Sequence, residues 1–405
     1  MSKKYIHLEL LLISTWFIGV MAVQFMLPLL PTIAKQLHAS TTLVKYTISI
    51  FLFGKAFGML AFGPLSEKYG RKIFMLTGLG LFTFGNLLAL FSTTIEILLF
   101  ARLIQGLGVS ASVLIGRTMI NDTYKSNKAA VVFSHIFLVA SIIISFLPML
   151  GSLMAMHFYW RTVFLIMGSY TTIIFVLCFF YLNETHTDKG IVALNLPKIF
   201  LYYKTIISHP LFLGYVLCSI FMIAGESAFN TASSFLLMQT FNVSTKTFGM
   251  LITLLVGGHL IGTLICGKLV KKHDLSSMMG VGVSILLIST LFMVLGIYLG
   301  YASVPLIIIP MIIYHAGTGF IMTITAVGSV VPFPNLIGIS SAASLLLNFT
   351  FSALSSAVVS NLSTHTAGPV SLLIFGCGVL AFFSWYGLIL PNHDRKSLIL
   401  NTPNI

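Results

Sequence analysis

Charge is what this sequence has least of. Only 8% of its 405 residues are Asp, Glu, Lys or Arg, and the acids number 9. A water-soluble domain carries roughly 25% charged residues, because its outside must be wetted. A soluble globular protein is therefore excluded, and the mean hydropathy of +1.02 agrees. Cysteine is scarce too. Cys178, Cys218, Cys266 and Cys377 all fall in apolar stretches without metal-type spacing, so a disulfide framework, a zinc site and a haem site are not expected. No His-Glu-x-x-His, Gly-x-Ser-x-Gly or Walker-type segment occurs, which argues against a membrane-embedded enzyme and against an ATP-binding module. No metal or cofactor is expected.

Apolar runs fill the chain instead. Each has about twenty residues, enough to cross a ~30 Å hydrocarbon core as a helix. Twelve spans are expected, near 8–30, 43–62, 73–91, 95–120, 129–154, 161–182, 210–239, 248–270, 276–298, 305–328, 339–362 and 370–390. The first is not followed by a small-residue cleavage site and reads as a retained span. The net charge of +13 raises the question of nucleic acid, and its distribution answers it. With the N-terminus inside, 15 lysines and arginines fall in cytoplasmic segments, among them Lys68, Arg71, Lys72, Lys125, Lys128, Lys189, Lys271 and Arg395. Only Lys35, Lys45, Arg161 and Lys246 fall outside, while Lys55, Arg102 and Arg117 lie within spans. This is positive-inside topology, with both termini cytoplasmic. The partners expected are a lipid bilayer, protons and a small-molecule substrate, with no nucleic acid. A multi-pass protein of the inner membrane, held as a monomer, is the expectation.

The longest polar stretch between spans, roughly Asn183 to Ser208, divides the chain into six spans and six. The expected organisation is 1–182 as an N-terminal lobe, 183–209 as a cytoplasmic linker, 210–391 as a C-terminal lobe and 392–405 as a cytoplasmic tail. The halves repeat. Shifting the first by 204 residues lays Ser40 and Thr41 on Ser244 and Thr245, and Gly54, Gly58 and Gly63 on Gly258, Gly262 and Gly267. Small residues about four apart let backbones approach closely where no hydrophobic effect draws helices together. Parallel repeats of six spans suit a carrier rocking about a central site better than a channel.

After the second span the sequence reads Gly63-Pro-Leu-Ser-Glu67-Lys68-Tyr-Gly70-Arg71-Lys72. Gly70 permits a tight turn, and Glu67, Arg71 and Lys72 put charge at a helix end where it can latch one lobe to the other, so Gly63, Glu67, Gly70, Arg71 and Lys72 are the candidate gating loop. The run resembles the loop signature of major-facilitator transporters. Further segments narrow the likeness: Pro28-Leu-Leu-Pro31, Arg102-Leu-Ile-Gln105-Gly106-Leu-Gly108, Arg117 with Asp122, Pro148-Met-Leu-Gly151, Trp160-Arg161 and Glu184-Thr185. Together these resemble the Bcr/CflA branch of twelve-helix drug–proton antiporters. The resemblance implies an all-α major-facilitator fold of two pseudo-symmetric six-helix lobes, and export of drugs or metabolites against proton influx. It also implies that Arg102 communicates with the protonation site. Two positions depart from the branch: Gln24 stands where an aspartate is usual, and Leu147 stands where glycine usually precedes the proline. A major-facilitator uptake carrier for a siderophore or nutrient, or a uniporter, is the alternative these departures keep.

Ionisable groups at membrane depth cost about 2.5–3.5 kcal/mol or more each and are functional candidates by default. The acid is Glu226, which the 204-residue offset lays on Ala22, half a turn from Gln24. Glu226, Asn230 and Ser233 follow i, i+4, i+7 spacing and make one polar face. A carboxyl out of water favours its neutral form and a bound cation favours the charged one, so Glu226 is the candidate for proton and substrate coupling, with Arg102. Arg117 and Asp122 read as a latch or snorkelling pair near the cytoplasmic end. Lys55 and His259 are equivalent under the offset, each directly after a glycine. Lys55 suits an anionic or zwitterionic solute; His259 is able to titrate near neutral pH. Gln24, Gln105, Asn230, Lys55, His259, His315 and Asn348 are the candidates for lining a cavity. Ser341, Ser344, Asn348, Ser352 and Ser355 form a stripe that suits either the cavity or helix–helix hydrogen bonding. The 34 Phe, 14 Tyr and 18 Met offer a repackable apolar surface.

Overall fold

The computed structural model describes residues 3–124, 146–185, 196–270, 272–333 and 336–392, and every regular element among them is helical. The chain runs α1 (Lys3–Gln24), a 3₁₀ turn (Leu27–Leu29), α2 (Leu30–Gln36), α3 (Thr41–Tyr69), α4 (Arg71–Leu90), α5 (Ile95–Thr123), α6 (Phe146–His157) and α7 (Trp160–Tyr181). It continues with α8 (Leu196–Ile207), α9 (Pro210–Ser234) with a π-helical extension (Phe235–Thr240), and α10 (Thr245–Leu269). Then follow α11 (Leu275–Tyr298), α12 (Val304–Gly328), α13 (Ile337–Asn361) and α14 (Gly368–Ser384), the last extended by a π segment (Trp385–Ile389). Eleven helices among the described residues are long and apolar enough to cross a membrane. The expected fifth span, 129–154, is described only from Phe146 on. The remainder of it, Lys125, Lys128, Lys189, Lys271 and the tail from 393 lie outside the described residues.

Local chemistry sets the helix ends. Ser40 caps α3 by accepting from the Leu43 N–H at 3.3 Å, and Asp274 caps α11 by accepting from the Ser277 N–H at 2.8 Å. The first span is not one continuous helix. Pro28 and Pro31 have no N–H to give, so α1 stops at Gln24 and the chain passes through a 3₁₀ turn into α2. The signature loop is also shorter than its sequence suggests. α3 runs to Tyr69 and α4 starts at Arg71, leaving Gly70 alone between them at φ 109°, a backbone conformation that favours glycine. The linker 183–209 holds a helix as well: in α8, Ile206 is buried with Phe212, Val216, Ile220, Phe333 and Ala343, while Leu201 and Lys204 are exposed.

The polarity of a soluble protein is inverted. Phe53, Phe57 and Leu60 form an exposed apolar row on α3, whereas serines and threonines are buried. Their hydroxyls are satisfied by carbonyls one turn back, as in Thr15 to Leu12, Thr47 to Val44 and Thr231 to Ser227.

The chain divides into two compact units. One comprises Met1–Asn195, Ser233–Thr253 and Ser356–Asn361; the other comprises Leu196–Ala232, Leu254–Ser355 and Leu362–Ile405. In the first, α3 and α5 pack backbone to backbone. A side chain at Gly106 would strike the Phe51 carbonyl and Lys55 nitrogen, and one at Gly54 would strike the Leu103 carbonyl. The last turn of α13 also belongs here: the Ser49 hydroxyl lies 2.8 Å from that of Ser356 and 3.3 Å from that of Ser360, and Asn361 Nδ2 donates to the Tyr46 hydroxyl at 2.7 Å. In the second unit, α10 and α12 repeat the α3–α5 arrangement. Gly258 faces the Ile312 carbonyl, Gly262 faces the Ala316 carbonyl, and Gly319 faces the His259 carbonyl. Two of the three glycine pairs found by the 204-residue shift thus do the same work in both halves. The third does not, since nothing lies within 4 Å of where a Gly267 side chain would begin.

Valine at Gly106 or Gly262 forces two backbones apart and is expected to cost about 1–3 kcal/mol or more. Alanine at Gly267 is expected to be neutral or to stabilise by up to ~1 kcal/mol. Thermal unfolding of the purified variants in detergent checks the contrast, and equal losses at all three positions would refute it.

Candidate functional site

In the first unit, Arg102 is fully buried and its guanidinium lies 4.3 Å from the centre of the Phe51 ring. Nε donates to the Thr47 carbonyl at 3.2 Å, and Nη1 donates to Gln105 Oε1 at 2.7 Å. Gln105 Nε2 passes the chain on to Asn86 Oδ1 at 3.1 Å, and Asn86 Nδ2 donates to the Phe82 carbonyl at 2.8 Å. Four groups across α3, α5 and α4 are thereby fixed in one relay, while Arg102 Nη2 has no partner among the described residues. Gln24, the last residue of α1, likewise has a buried Oε1 without a partner there. Lys55 is buried, and its ammonium lies 4.0 Å from where a side chain at Gly19 would begin. Asn86 was not expected from the sequence, although a lone amide in the middle of the third span was a signal for it. It also lines an apolar groove of about 380 Å³ between α4 and α7, with Thr83, Leu87, Phe164 and Gly168. None of the cavity candidates lines that groove.

The signature residues assemble at the α3–α4 corner. Gly70 has no side chain to cap α4, and Glu184, just past α7, does so instead. Its Oε1 accepts from the Arg71 N–H at 2.9 Å and its Oε2 from the Lys72 N–H at 3.4 Å, a carboxylate placed at the positive end of a helix. The Arg71 side chain donates from Nε to Asp122 Oδ2 at 3.2 Å and from Nη1 to Ser66 Oγ at 2.8 Å, with Glu67 Oε1 4.0 Å away. Lys72 Nζ donates to the Phe179 carbonyl at 2.8 Å. The ion pair shown for Asp122 is therefore with Arg71, where the sequence suggested Arg117.

The second unit holds Glu226. It is half-buried in α9, with Asn230 one turn on at similar exposure, whereas Ser233 is fully buried. The Glu226 carboxylate makes no hydrogen bond or salt bridge among the described residues. His259 on α10 is near enough to interact with it electrostatically, and His259 Nδ1 lies 2.7 Å from Thr318 Oγ1 on α12. His315 is buried on the same helix, its Nδ1 2.8 Å from the Met311 carbonyl. Tyr314 donates to the Met222 carbonyl at 2.6 Å and fills the space in front of Gly225. The structure thus brings Glu226, His259 and His315 into one unit, and Arg102, Gln105, Gln24 and Lys55 into the other. Thr318 and Tyr314 were missed in the sequence; the His315–Thr318 spacing of i, i+3 was the signal available. The α13 stripe bonds to α9: Asn348 is buried and its Oδ1 accepts from Ser219 at 3.0 Å, Ser352 bonds Ser227, and Ser355 donates to the Ala224 carbonyl at 2.7 Å.

The sequence profile described as Major Facilitator Superfamily matches residues 12–332. The bicyclomycin resistance protein homolog of Haemophilus influenzae is 25% identical over 374 residues, which is 91% of this chain and 93% of that protein. Multidrug resistance protein D of Escherichia coli is 24% identical over 391 residues, 95% of this chain and 96% of the other. Among solved structures, the nucleoside transporter NupG superposes with a TM-score of 0.73 at 12% identity, covering 94% of this chain and 99% of its own. The Escherichia coli xylose transporter XylE gives 0.70 at 14% identity, with coverages of 95% and 98%.

Removing either acid from the corner is expected to loosen it. Glu184→Ala strips a helix cap, at about 1 kcal/mol. Asp122→Ala leaves the buried Arg71 with only Glu67 at 4.0 Å as counter-charge, at roughly 2 kcal/mol, below the ~3–5 of a fully buried pair because the Asp122 side chain is 24% exposed. Thermal unfolding in detergent reads both, and an Asp122→Ala protein as stable as the wild type would dissolve the clamp.

Proposed function

The chain belongs to the Major Facilitator Superfamily, and on that footing we propose that it is a proton-coupled exporter of drugs or small amphipathic metabolites across a bacterial inner membrane, with Glu226 as the coupling carboxylate. It is a multi-pass membrane transporter of small molecules. The observation that carries the finer reading is Glu226 itself: a half-buried acid in an apolar helix with no hydrogen bond or salt bridge among the described residues. Buried carboxylates that serve structure are hydrogen-bonded or paired; one left without either has its oxygens available for a proton or a cationic solute. Proton and solute then exclude each other, since a protonated Glu226 has no charge to offer and an occupied one has no place for the proton. Asn230, one turn along α9, supplies a neutral polar contact on the same face. Gln24 cannot titrate, which leaves the proton to the α9 acid. The resistance named for the Haemophilus influenzae and Escherichia coli relatives supports drugs as substrates and efflux as the direction. The excess of Lys and Arg on one set of loops supports cytoplasmic termini, and a monomer suffices for the cycle.

Arg102 enters this reading as the residue that organises the interior of the first unit, through the Thr47 carbonyl and the Gln105–Asn86 relay. The buried Lys55 favours one alternative: a carrier for anionic or zwitterionic solutes running inward or without protons, in which the lysine rather than Glu226 meets the solute.

Substrate-dependent proton flux in proteoliposomes tests the choice, with wild type beside Glu226→Gln and a panel of cationic, neutral and zwitterionic drugs. The expected result is proton movement that requires both a drug and Glu226, with the glutamine variant at the level of empty liposomes. Solute movement without proton flux, or flux indifferent to Glu226, overturns the proposal and moves attention to Lys55.

A further inference from the structure

We infer that His259 is a second proton site paired with Glu226, and that Thr318 is the positioning residue that keeps its Nε2 open to receive the proton. The inference rests on the reading of Glu226 as proton carrier, and its argument is the hydrogen-bond geometry of α12. A carbonyl only accepts. His315 Nδ1, 2.8 Å from the Met311 carbonyl, must therefore carry hydrogen. The Thr318 hydroxyl, 2.7 Å from the His315 carbonyl, donates its single proton there. Having none left, Thr318 Oγ1 can only accept from the nitrogen 2.7 Å away, so His259 Nδ1 carries hydrogen too. A neutral imidazole has one N–H, so both rings present Nε2 as a lone pair.

The surroundings favour exchange of a proton between Glu226 and this ring. α9, α10 and α12 meet at one level: Gly225 lies against the Tyr314 hydroxyl, and Gly258 against the Ile312 carbonyl. Glu226 interacts electrostatically with His259 and Tyr314, and His259 with His315. The Tyr314 hydroxyl donates its hydrogen bond to the Met222 carbonyl. α14 contributes Cys377 beside Gly225, and α13 contributes the hydroxyls of Ser352 and Ser355. Among the described residues of this unit, those are the titratable groups around the pair, and none is a lysine, an arginine or a second acid. Transfer from the Glu226 carboxyl to His259 Nε2 breaks one O–H bond and forms one N–H bond. It converts two neutral groups into a carboxylate and an imidazolium at unchanged total charge. The pair then holds one proton, and its total charge changes only when that proton leaves.

Long-range proton–nitrogen correlation spectra of the full-length protein in lipid nanodiscs, with ¹⁵N-labelled histidine, read the tautomers directly; His259→Gln and His315→Gln assign the signals. The expected result is Nδ1–H for both rings. Thr318→Val should populate the Nε2–H form of His259 and Thr318→Ser should restore the wild-type pattern. Glu226→Gln should move the titration midpoint of His259 by about one pH unit. An Nε2–H ring in the wild type, or a midpoint indifferent to Glu226→Gln, overturns the inference, and the wild-type spectrum decides even if Thr318→Val does not fold. Proton flux separates this result from the parent reading. Flux lost in Glu226→Gln with an Nε2–H ring keeps the carrier and removes the relay, while retained flux with the midpoint moved keeps the pair and removes the carrier.

Discussion

Hydrocarbon gives a polar group nothing to bond, and the whole architecture follows from that. Backbone amides close on themselves in helices, and hydroxyls fold back onto carbonyls a turn away, as Thr15 and Thr231 do. With no hydrophobic force to press helices together inside a solvent as apolar as they are, contact depends on backbones coming close. Gly106 between Phe51 and Lys55, and Gly262 against Ala316, are where they do. The same constraint makes the interior polar groups informative. Around Arg102 hydrogen bonds run on through Gln105 and Asn86 to the Phe82 carbonyl. At Glu226 the sequence of hand-overs stops, and a group left out of such bookkeeping is where a mobile species has room to act.

The two halves use one scaffold for different chemistry. Lys55 and His259 each follow a glycine in a tight helix seam, so each side chain leaves the backbone at the flank of a close contact. One is a long flexible ammonium; the other is a ring whose two nitrogens can each donate or accept a hydrogen bond. The first unit buries the cations Arg102, Lys55 and Lys45. The second places the acid and the histidines. One repeat of glycines thus supports an asymmetric pair of interiors.

What the sequence conveyed depended on how local each feature is. The membrane class, the helix count and the glycine repeat are carried by composition and spacing, and the six-span periodicity is visible without coordinates. Boundaries were less legible. Pro28 and Pro31 signalled a stop, but not that the chain would resume as α2, and Gly63 to Tyr69 read as loop although their backbone continues α3. In 183–209 polar flanks masked the amphipathic spacing of Tyr203 and Ile206. Partners were the least legible. Asp122 lies five residues from Arg117 in sequence and 51 from Arg71, and the ion pair is with the distant one. Asn348 could face a cavity or a neighbour on spacing alone, and only the position of Ser219 decides. The protonation pattern of His259 hangs on a hydroxyl 59 residues away, which no local pattern encodes.

The single residue between α3 and α4 has a mechanical meaning. Consecutive Cα atoms are only 3.8 Å apart, so a one-residue connection leaves the two helices no slack where they join. Arg71, the first residue of α4, is tied there to α5 through Asp122, and Glu184 ties the chain beyond α7 to the same helix start. Four helices are therefore pinned together at one end, like the ribs of a fan at its rivet. Gly70 makes the shortest of those links.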